Sequence, residues 1–297
     1  MALADALAQP VRRERGPVAA FVLRLVREKP LGAFGGAVFL VFLFCGVFAD
    51  VLAPYGYNKI SPLNRLKPPS LQFPFGTDNL GRDMLSRCLY GAQLSVIIGF
   101  CAAGLATLVS VALGIVTGYI GGKLDLITQR FVDAWMSFPD LIILIVVVAV
   151  VGPGMPQIIG TLALLLGIAG SRIVRSAVIG VREHMYVHSA QSIGASVPRI
   201  LWRHILPNVM PPIIVLFTTR VGTVILAESG LAFLGLGVPP PSPTWGAMLS
   251  GSGRTYMFQG PWLALAPGLC LTAVVYATNV FGDALRDLLD PRMRGAK

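Results

Sequence analysis

The sequence has few charged residues. Asp, Glu, Lys and Arg make up 13% of the 297 residues, against about 25% in an average soluble domain. Hydrophobic residues make up 55%, and the mean hydropathy is +0.72. A soluble fold could not hide so much apolar surface, so the composition excludes an ordinary water-soluble domain. It indicates that the lipid bilayer is the solvent of this chain.

Cysteine and histidine are also scarce. None of the four cysteines belongs to a Cys-x-x-Cys pair, so we predict neither a disulfide framework nor a metal site. The three histidines all lie in one polar stretch, without zinc spacing and without a pattern of carboxylate partners. A membrane enzyme needs clustered catalytic groups, and no nucleophile-base pairing is visible in the sequence.

A phosphate-binding loop of the Walker A type is absent. Gly122 and Lys123 are followed by Leu124, where the motif requires serine or threonine. Thr117 stands where the motif requires its first glycine. We therefore predict that this chain is not an enzyme, has no ATPase site of its own and carries no cofactor.

Long apolar runs dominate the chain. Six of them can cross a hydrocarbon layer of about 30 Å as helices that rise about 1.5 Å per residue. We predict an all-α membrane protein whose six transmembrane helices are 31–52, 94–119, 131–151, 156–176, 208–232 and 261–282. The first run is too long for a usual signal peptide and has no clear cleavage site, so we expect it to remain as a span.

Lys and Arg are distributed unevenly along the chain. If both termini are cytoplasmic, 17 of these residues lie on the cytoplasmic side and six on the outer side. Because such an excess is typical of cytoplasmic loops, we predict an N-in, C-in orientation. The predicted parts are a cytoplasmic tail with an interfacial helix (1–30), the first span with its outer connection (31–93), a core (94–285) and a second cytoplasmic tail (286–297).

Two long outer connections, 53–93 and 236–260, are rich in turn-forming residues and show no strand pattern. In the first, we expect a short amphipathic helix from Asp83 to about Tyr90 at the outer interface. A structural role is favoured over solute contact for residues 76–83. In the second, Trp245 is suited to an interfacial anchor, and contact of this connection with another protein is a hypothesis.

A polar stretch at 184–207 interrupts the apolar runs. Residues up to Ser192 are suited to a helix that continues from the fourth span, and Gly194 is suited to a left-handed cap of that helix. Ser196 is a good N-cap for a second helix, which Pro207 closes before the fifth span. The pattern predicts a hairpin that projects from the membrane; an ordinary connection between spans is the alternative.

This hairpin resembles the cytoplasmic loop of the permeases of ATP-binding cassette (ABC) importers. The family pattern is Glu-Ala-Ala, three residues and Gly, then about nine residues and a closing Ile-x-Leu-Pro. Four positions of this chain match it: Ala190, Gly194, Leu206 and Pro207. Three positions depart from it, because His188 replaces the glutamate, Ser189 replaces an alanine and His204 replaces the isoleucine.

Further motifs extend the resemblance over most of the chain. In order, they are 76–83 with 85–87, 233–238 with Pro240 and Trp245-Gly246, 282–287, and 290–292. They look like the signatures of the second permease subunit of dipeptide, oligopeptide and nickel importers.

The resemblance implies an ABC type I importer permease in a bacterial or archaeal cytoplasmic membrane. Its implied partners are a second permease, favoured to be a paralogue, two ATPase subunits that bind ATP and Mg, and an extracytoplasmic solute-binding protein. The implied ATPase-coupling residues are His188, Ser189, Ala190, Gly194, Ala195, Arg199, His204, Leu206 and Pro207. The function it implies is ATP-driven import of peptides or a similar small solute. The alternative is a stand-alone secondary transporter or channel, which predicts inverted repeats, broken helices or a relay of buried acids.

Arg220 lies about 12 residues into the fifth predicted span, at a depth of about 18 Å. A charge at that depth is costly and usually faces a cavity or a partner. One interpretation is a pathway residue that attracts a solute carboxylate. The other is a structural ion pair with Glu228, Asp133 or Asp140, or with the partner permease. We place Glu228 and Asp140 near span ends, where water reaches them.

Overall fold

A computed structural model describes residues 17–289 of the chain, with side chains from residue 19. This part is helical, and its β-structure amounts to one isolated bridge between Thr77 and Asp83. The motif 290–292 and the beginning of the N-terminal tail lie outside the described residues. The all-α fold predicted from the apolar runs is confirmed.

The helices follow the apolar runs closely. The α-helices of the described residues are α1 Pro17–Glu28, α2 Pro30–Val47, α3 Ala49–Leu52, α4 Met84–Ile120, α5 Gly122–Met136, α6 Asp140–Val151, α7 Met155–Arg182, α8 Met185–Ser192, α9 Val197–Ile200, α10 Leu206–Phe233, α11 Trp245–Met248, α12 Arg254–Tyr256 and α13 Trp262–Leu289. Helix α1 lies within residues 1–30, where we predicted an interfacial helix.

Within residues 17–289, five helices are long and apolar enough to cross a membrane: α2, α4, α7, α13 and the continuous segment Val197–Phe233. The sixth predicted span, 131–151, is not one straight helix. It falls on α5 and α6, which meet at an angle of 84°. Pro139 precedes α6, and because a proline disfavours helical backbone at the residue before it, the helix breaks there. The described part of the chain has six candidate spans if this bent pair crosses as one.

Helix α4 has 37 residues, about 55 Å at helical rise, and therefore extends well beyond the hydrocarbon layer. It begins at Met84, ten residues before the predicted start. The separate interfacial helix expected at 83–90 is thus wrong, because these residues form the first turns of α4. Asp83 caps the helix: its Oδ2 accepts the Ser86 N–H at 2.7 Å and the Ser86 hydroxyl at 2.6 Å.

Helices α4 and α7 pack most closely, along glycines. A Cβ on Gly114 would lie 2.6 Å from the Cβ of Val174, and one on Gly167 would lie 2.8 Å from the Cβ of Val109. Ser110 Oγ donates to the Gly167 carbonyl at 2.6 Å. Small residues let two membrane helices approach so that dispersion contacts and interhelical hydrogen bonds hold them together.

Ion pairs hold the bent pair against α7. Arg175 donates to both carboxylate oxygens of Asp125, and Arg172 bonds to Asp133. Asp133, which the sequence offers as a partner for Arg220, is therefore paired with an arginine of α7 instead. These pairs lie towards the end of the molecule that carries the 184–207 segment, which we name the hairpin end.

Candidate functional site

The 184–207 segment is a compact hairpin with boundaries that differ from the predicted ones. Helix α7 ends at Arg182, and His184 has an extended backbone (φ −74°, ψ 143°) before α8 begins at Met185. The expected continuation of the fourth span to Ser192 is therefore wrong. The break at His184 lets α8 leave the direction of α7 and turn back towards α9.

Gly194 forms the turn of the hairpin, as predicted from the sequence. Its φ is +76°, in the left-handed region that glycine enters without a steric penalty. The Ala195 N–H donates to the Ala190 carbonyl at 3.0 Å, and the Gly194 N–H donates to the Gln191 carbonyl at 2.9 Å. These two bonds make a Schellman cap. Apart from Gly194 and its two chain neighbours, no residue in 17–289 has an atom within 4 Å of a Cβ built on Gly194. The backbone angle, rather than space, therefore requires glycine.

The second arm of the hairpin joins the fifth span without a break. Ser196 occupies the N-cap position of α9 but makes no capping bond through its side chain among the described residues. A π-helical turn, Leu201–Ile205, connects α9 to α10, and the Leu206 N–H donates to the Leu201 carbonyl. Pro207, which lacks an N–H, follows this wide turn. The predicted stop at Pro207 is wrong, because the π turn accommodates the proline inside one helix.

The hairpin is fixed firmly to the spans. Its inward side chains include Val187, Ile200 and Ile205, which are at most 1% exposed and belong to one apolar cluster with residues of α4 and α7. Gln191 Nε2 donates to the Tyr119 hydroxyl at 3.1 Å, and Arg182 Nη1 donates to the Tyr119 carbonyl at 3.1 Å. The hairpin is therefore packed against the ends of two spanning helices, α4 and α7.

The nine predicted coupling residues all lie on this unit, but they do not all point outwards. Ala190 is buried, whereas His188, Ser189, Arg199 and Pro207 are exposed. Ala195, His204 and Leu206 are half-buried. His188 Nε2 lies 4.0 Å from Glu183 Oε2, both on the exposed surface.

Sequence reasoning missed the apolar surface of the hairpin. Met185, Ile193 and Trp202 are 80%, 84% and 73% exposed. Large apolar side chains in an otherwise polar stretch are the signal that could have found them. Exposed apolar clusters rimmed by polar residues are typical of protein interaction sites.

At the opposite end, residues 76–83 form a tightly bonded turn. Asp78 is fully buried, and its carboxylate accepts the N–H groups of Leu80 and Arg82 at 2.8 and 2.9 Å. Arg82 Nε donates to the same carboxylate at 2.6 Å. The polar groups of the turn therefore bond to one another, which supports a structural role over solute contact.

Trp245 is a core residue rather than an interfacial anchor. It is 1% exposed, and its Nε1 donates to the Cys88 carbonyl at 3.1 Å. Its ring lies against Gly91, where a Cβ would come within 2.8 Å of it. The prediction of an anchor at the membrane surface is therefore wrong.

Arg220 is 6% exposed and contacts uncharged oxygens of two neighbouring helices. It donates to Ser110 Oγ of α4 at 2.9 Å, to Thr107 Oγ1 of α4 at 3.5 Å and to the Leu166 carbonyl of α7. Among residues 17–289 it forms no ion pair, so the expected pairs with Glu228, Asp133 and Asp140 are wrong. The alternative of an ion pair with the partner permease stays a prediction.

Glu228 is completely buried, although we expected water to reach it. Its Oε2 accepts the Ser229 hydroxyl at 3.5 Å, and its Oε1 has no hydrogen-bond partner within the described part of the chain. Asp140, by contrast, is exposed in the first turn of α6.

Similar proteins are known. The dipeptide transport system permease protein DppC of Alkalihalophilus pseudofirmus is 39% identical over 91% of this chain and 88% of its own length. The di/tripeptide transport system permease protein DppC of Pseudomonas aeruginosa is 36% identical, with 89% of each chain covered. The glutathione transport system permease protein GsiD of Escherichia coli is 40% identical over 89% of this chain and 87% of its own length.

A solved structure shares the fold. A chain of the MetNI methionine ABC transporter in an inward-facing conformation superposes with a TM-score of 0.56 at 18% identity. The match covers 70% of this chain and 98% of that chain.

Two family models match successive parts of the sequence. The N-terminal TM domain of oligopeptide transport permease C matches residues 21–69. The binding-protein-dependent transport system inner membrane component matches residues 110–295, more than half of the chain. The chain therefore belongs to the family of binding-protein-dependent transport system inner membrane components, the permeases of ABC importers.

Proposed function

We propose that this chain is one of two permease subunits of an ATP-driven importer in a bacterial cytoplasmic membrane, and that its solute is a short peptide. The relatives named above are dipeptide, di/tripeptide and glutathione permeases, and each aligns with this chain over most of its length. The family and the fold favour this function over a stand-alone secondary transporter or channel.

The proposed partners follow from the family. A second permease, favoured to be a paralogue, completes the pathway, and an extracytoplasmic binding protein delivers the peptide to the outer face. Two ATPase subunits bind ATP and Mg on the cytoplasmic side and supply the energy, so this chain acts as a translocation subunit without an ATPase site of its own. The predicted N-in, C-in orientation places the hairpin end in the cytoplasm.

The observation that carries the proposal is the exposed apolar surface of the hairpin. Met185, Ile193 and Trp202 project from a unit whose base is packed into the spans. An aqueous segment gains no stability from exposing such side chains, whereas a protein partner with a complementary cleft buries them. We propose that this partner is an ATPase subunit and that the nine coupling residues surround the contact.

The proposed mechanism uses the stiffness of this unit. When ATP draws the two ATPase subunits together, each hairpin moves with its own subunit. The bonds of Tyr119 to Gln191 and Arg182 and the continuous helix Val197–Phe233 carry that movement into the spans. The two permeases then alternate between inward-facing and outward-facing states.

The test is purification of the tagged full-length chain from its native membrane, followed by reconstitution. Mass spectrometry is expected to identify an ATPase and a second permease in the preparation. Proteoliposomes of this complex, with its binding protein outside and ATP inside, are expected to accumulate a radiolabelled dipeptide. Omission of ATP is the control. Uptake that persists without ATP, by the chain alone, would overturn the proposal in favour of a secondary transporter.

A further inference from the structure

Helix α13 has one exposed face that runs along its whole length. The exposed side chains recur every three or four residues: Leu265, Leu269, Thr272, Tyr276, Asn279, Asp283 and Arg286. Such spacing keeps residues on one side of a helix. From Thr272 onwards every member is polar, over about 21 Å at helical rise.

This face differs from the other exposed faces of the spanning helices. On α2 the large exposed side chains include Leu31, Leu40 and Phe44, and on α4 they include Leu105 and Leu108. Those apolar faces are suited to lipid. The Asn279 amide donates to the Val275 carbonyl of its own helix at 2.8 Å. The Thr272 hydroxyl and the Tyr276 phenol form no side-chain hydrogen bond within residues 17–289, and such groups cost free energy in hydrocarbon unless they are hydrogen-bonded.

Helix α10 continues the polar face across its seam with α13. A Cβ on Gly282 would lie 2.8 Å from Thr219 Cγ2, and a Cβ on Gly222 would lie 2.3 Å from Thr278 Oγ1 and 3.6 Å from Asn279 Nδ2. The two helices therefore touch at these glycines. Thr219 is half-buried and Thr223 is exposed along the same seam.

The polar face opens into a cleft at the hairpin end. This cleft has a volume of about 470 Å³. Thr219, Asp283 and Arg286 supply its polar groups, and the rest of its lining is apolar: Ile173, Pro211, Pro212, Val215, Leu216 and Leu289. Asp283 and Arg286 are exposed and form no ion pair or side-chain hydrogen bond within residues 17–289. The two charged residues of the exposed α13 face thus lie at the hairpin end, whereas the polar residues in the middle of that face are neutral.

We propose that this face, comprising Thr219, Thr223, Thr272, Tyr276, Asn279 and Asp283, is the wall that this permease contributes to a water-filled pathway. The inference rests on the proposed function, since the opposite wall belongs to the second permease. Neutral hydrogen-bonding groups in the middle of the wall suit a solute rich in amide groups, such as a short peptide. They offer no fixed charge that would retain either of its ends.

Arg220 does not belong to this wall. It follows Thr219 by one residue, which rotates its side chain by about 100° around the helix. Its guanidinium contacts α4 and α7 instead. The cation in the fifth span thus serves the packing of this chain, and the exposed polar groups next to it serve the solute.

Cysteine accessibility tests the proposal in the complete importer. The background carries alanine at Cys45, Cys101 and Cys270 and keeps Cys88, which is 4% exposed. Thr272→Cys and Asn279→Cys are compared with Leu105→Cys and Leu108→Cys, which are exposed on the apolar face of α4. Membrane vesicles are treated with a charged methanethiosulfonate that does not cross lipid, and unreacted thiols are counted with a maleimide.

We expect the reagent to modify both wall cysteines at least about tenfold faster than both α4 cysteines, because reaction requires a hydrated thiolate. Equally slow reaction at all four positions would place the face against lipid and overturn the proposal. Disulfide cross-linking of the wall cysteines to the partner permease, without access of the reagent, would show a dry interface and also overturn it. ATP-driven dipeptide uptake by the cysteine-depleted background, measured separately, tests the proposed function.

Discussion

Replacement of Ile193 by serine is expected to uncouple the permease from its ATPase while the fold is kept. The side chain is 84% exposed and lies beside the Gly194 turn, so folding of this chain gains little from it. If it enters a cleft on the ATPase, its burial contributes about 1.5–3 kcal/mol to association. Loss of that contribution weakens binding about 10- to 150-fold.

The assay titrates purified ATPase subunits onto permease pairs held in lipid nanodiscs and reports the dissociation constant. ATP-driven dipeptide uptake in proteoliposomes, measured at a fixed ATPase concentration, is expected to fall with the fraction of permease occupied. Leu71→Ser is the matched control, because Leu71 is fully exposed at the opposite end of the molecule. That control is expected to bind the ATPase as tightly as the unchanged chain.

Two results would refute the reasoning. If Ile193→Ser binds the ATPase with an unchanged dissociation constant, the exposed apolar tip of the hairpin is not the docking surface. If Leu71→Ser weakens binding as much as Ile193→Ser, the effect arises from the loss of any exposed apolar group. A melting temperature close to that of the unchanged chain is required of both variants.

Three further predictions concern the spans and are checked by thermal melting of the complex in detergent. Arg220→Met is expected to lower the melting temperature together with assembly, because it removes hydrogen bonds from a charged donor worth about 1.5–3 kcal/mol each. Lost uptake in a stably assembled complex would instead favour the pathway interpretation. Gly114→Ala is expected to destabilise the complex by about 1–3 kcal/mol, because the added Cβ clashes with Val174. Gly104→Ala is the control and is expected to be neutral or stabilising, because no described residue outside its own helix lies within 4 Å of the added Cβ. Equal effects of the two substitutions would contradict close packing of α4 and α7 at their glycines. Glu228→Gln is expected to keep or raise the melting temperature, because it removes a buried charge with one unpartnered oxygen, and a marked loss would show that the charge has a partner in the assembled complex.

Local chemistry made the turn of the hairpin predictable. Glycine is the residue that most readily adopts a left-handed backbone, and Gly194 stands between two stretches of helical character, so the cap followed from the sequence. The long spans were predictable for a similar reason, since a spanning helix satisfies its own backbone hydrogen bonds and needs only enough apolar residues. In both cases the deciding interactions lie within a few residues of each other.

The incorrect boundaries depend on interactions that the local pattern does not contain. Pro207 is a helix breaker by itself, but the π turn before it provides a geometry in which its missing N–H costs little. Trp245 has the aromatic ring and polar N–H of an interfacial anchor. It packs in the core instead, where the absence of a side chain at Gly91 of α4 leaves room for its ring. Each outcome required the position of a second helix or an irregular turn, and one sequence specifies neither directly.

Arg220 shows most clearly that one sequence does not specify the direction in which a side chain points from its helix. Counting residues from the span end gives the depth of a side chain, but its direction around the helix depends on where the neighbouring helices lie. Gly170 provides the space on α7, since a Cβ there would lie 1.6 Å from Arg220 Nη2. A glycine on one span and an arginine on another thus form a single packing feature. The absence of a side chain at 170 is as informative about the contacts of Arg220 as the charge itself, because it leaves the guanidinium room between α4 and α7.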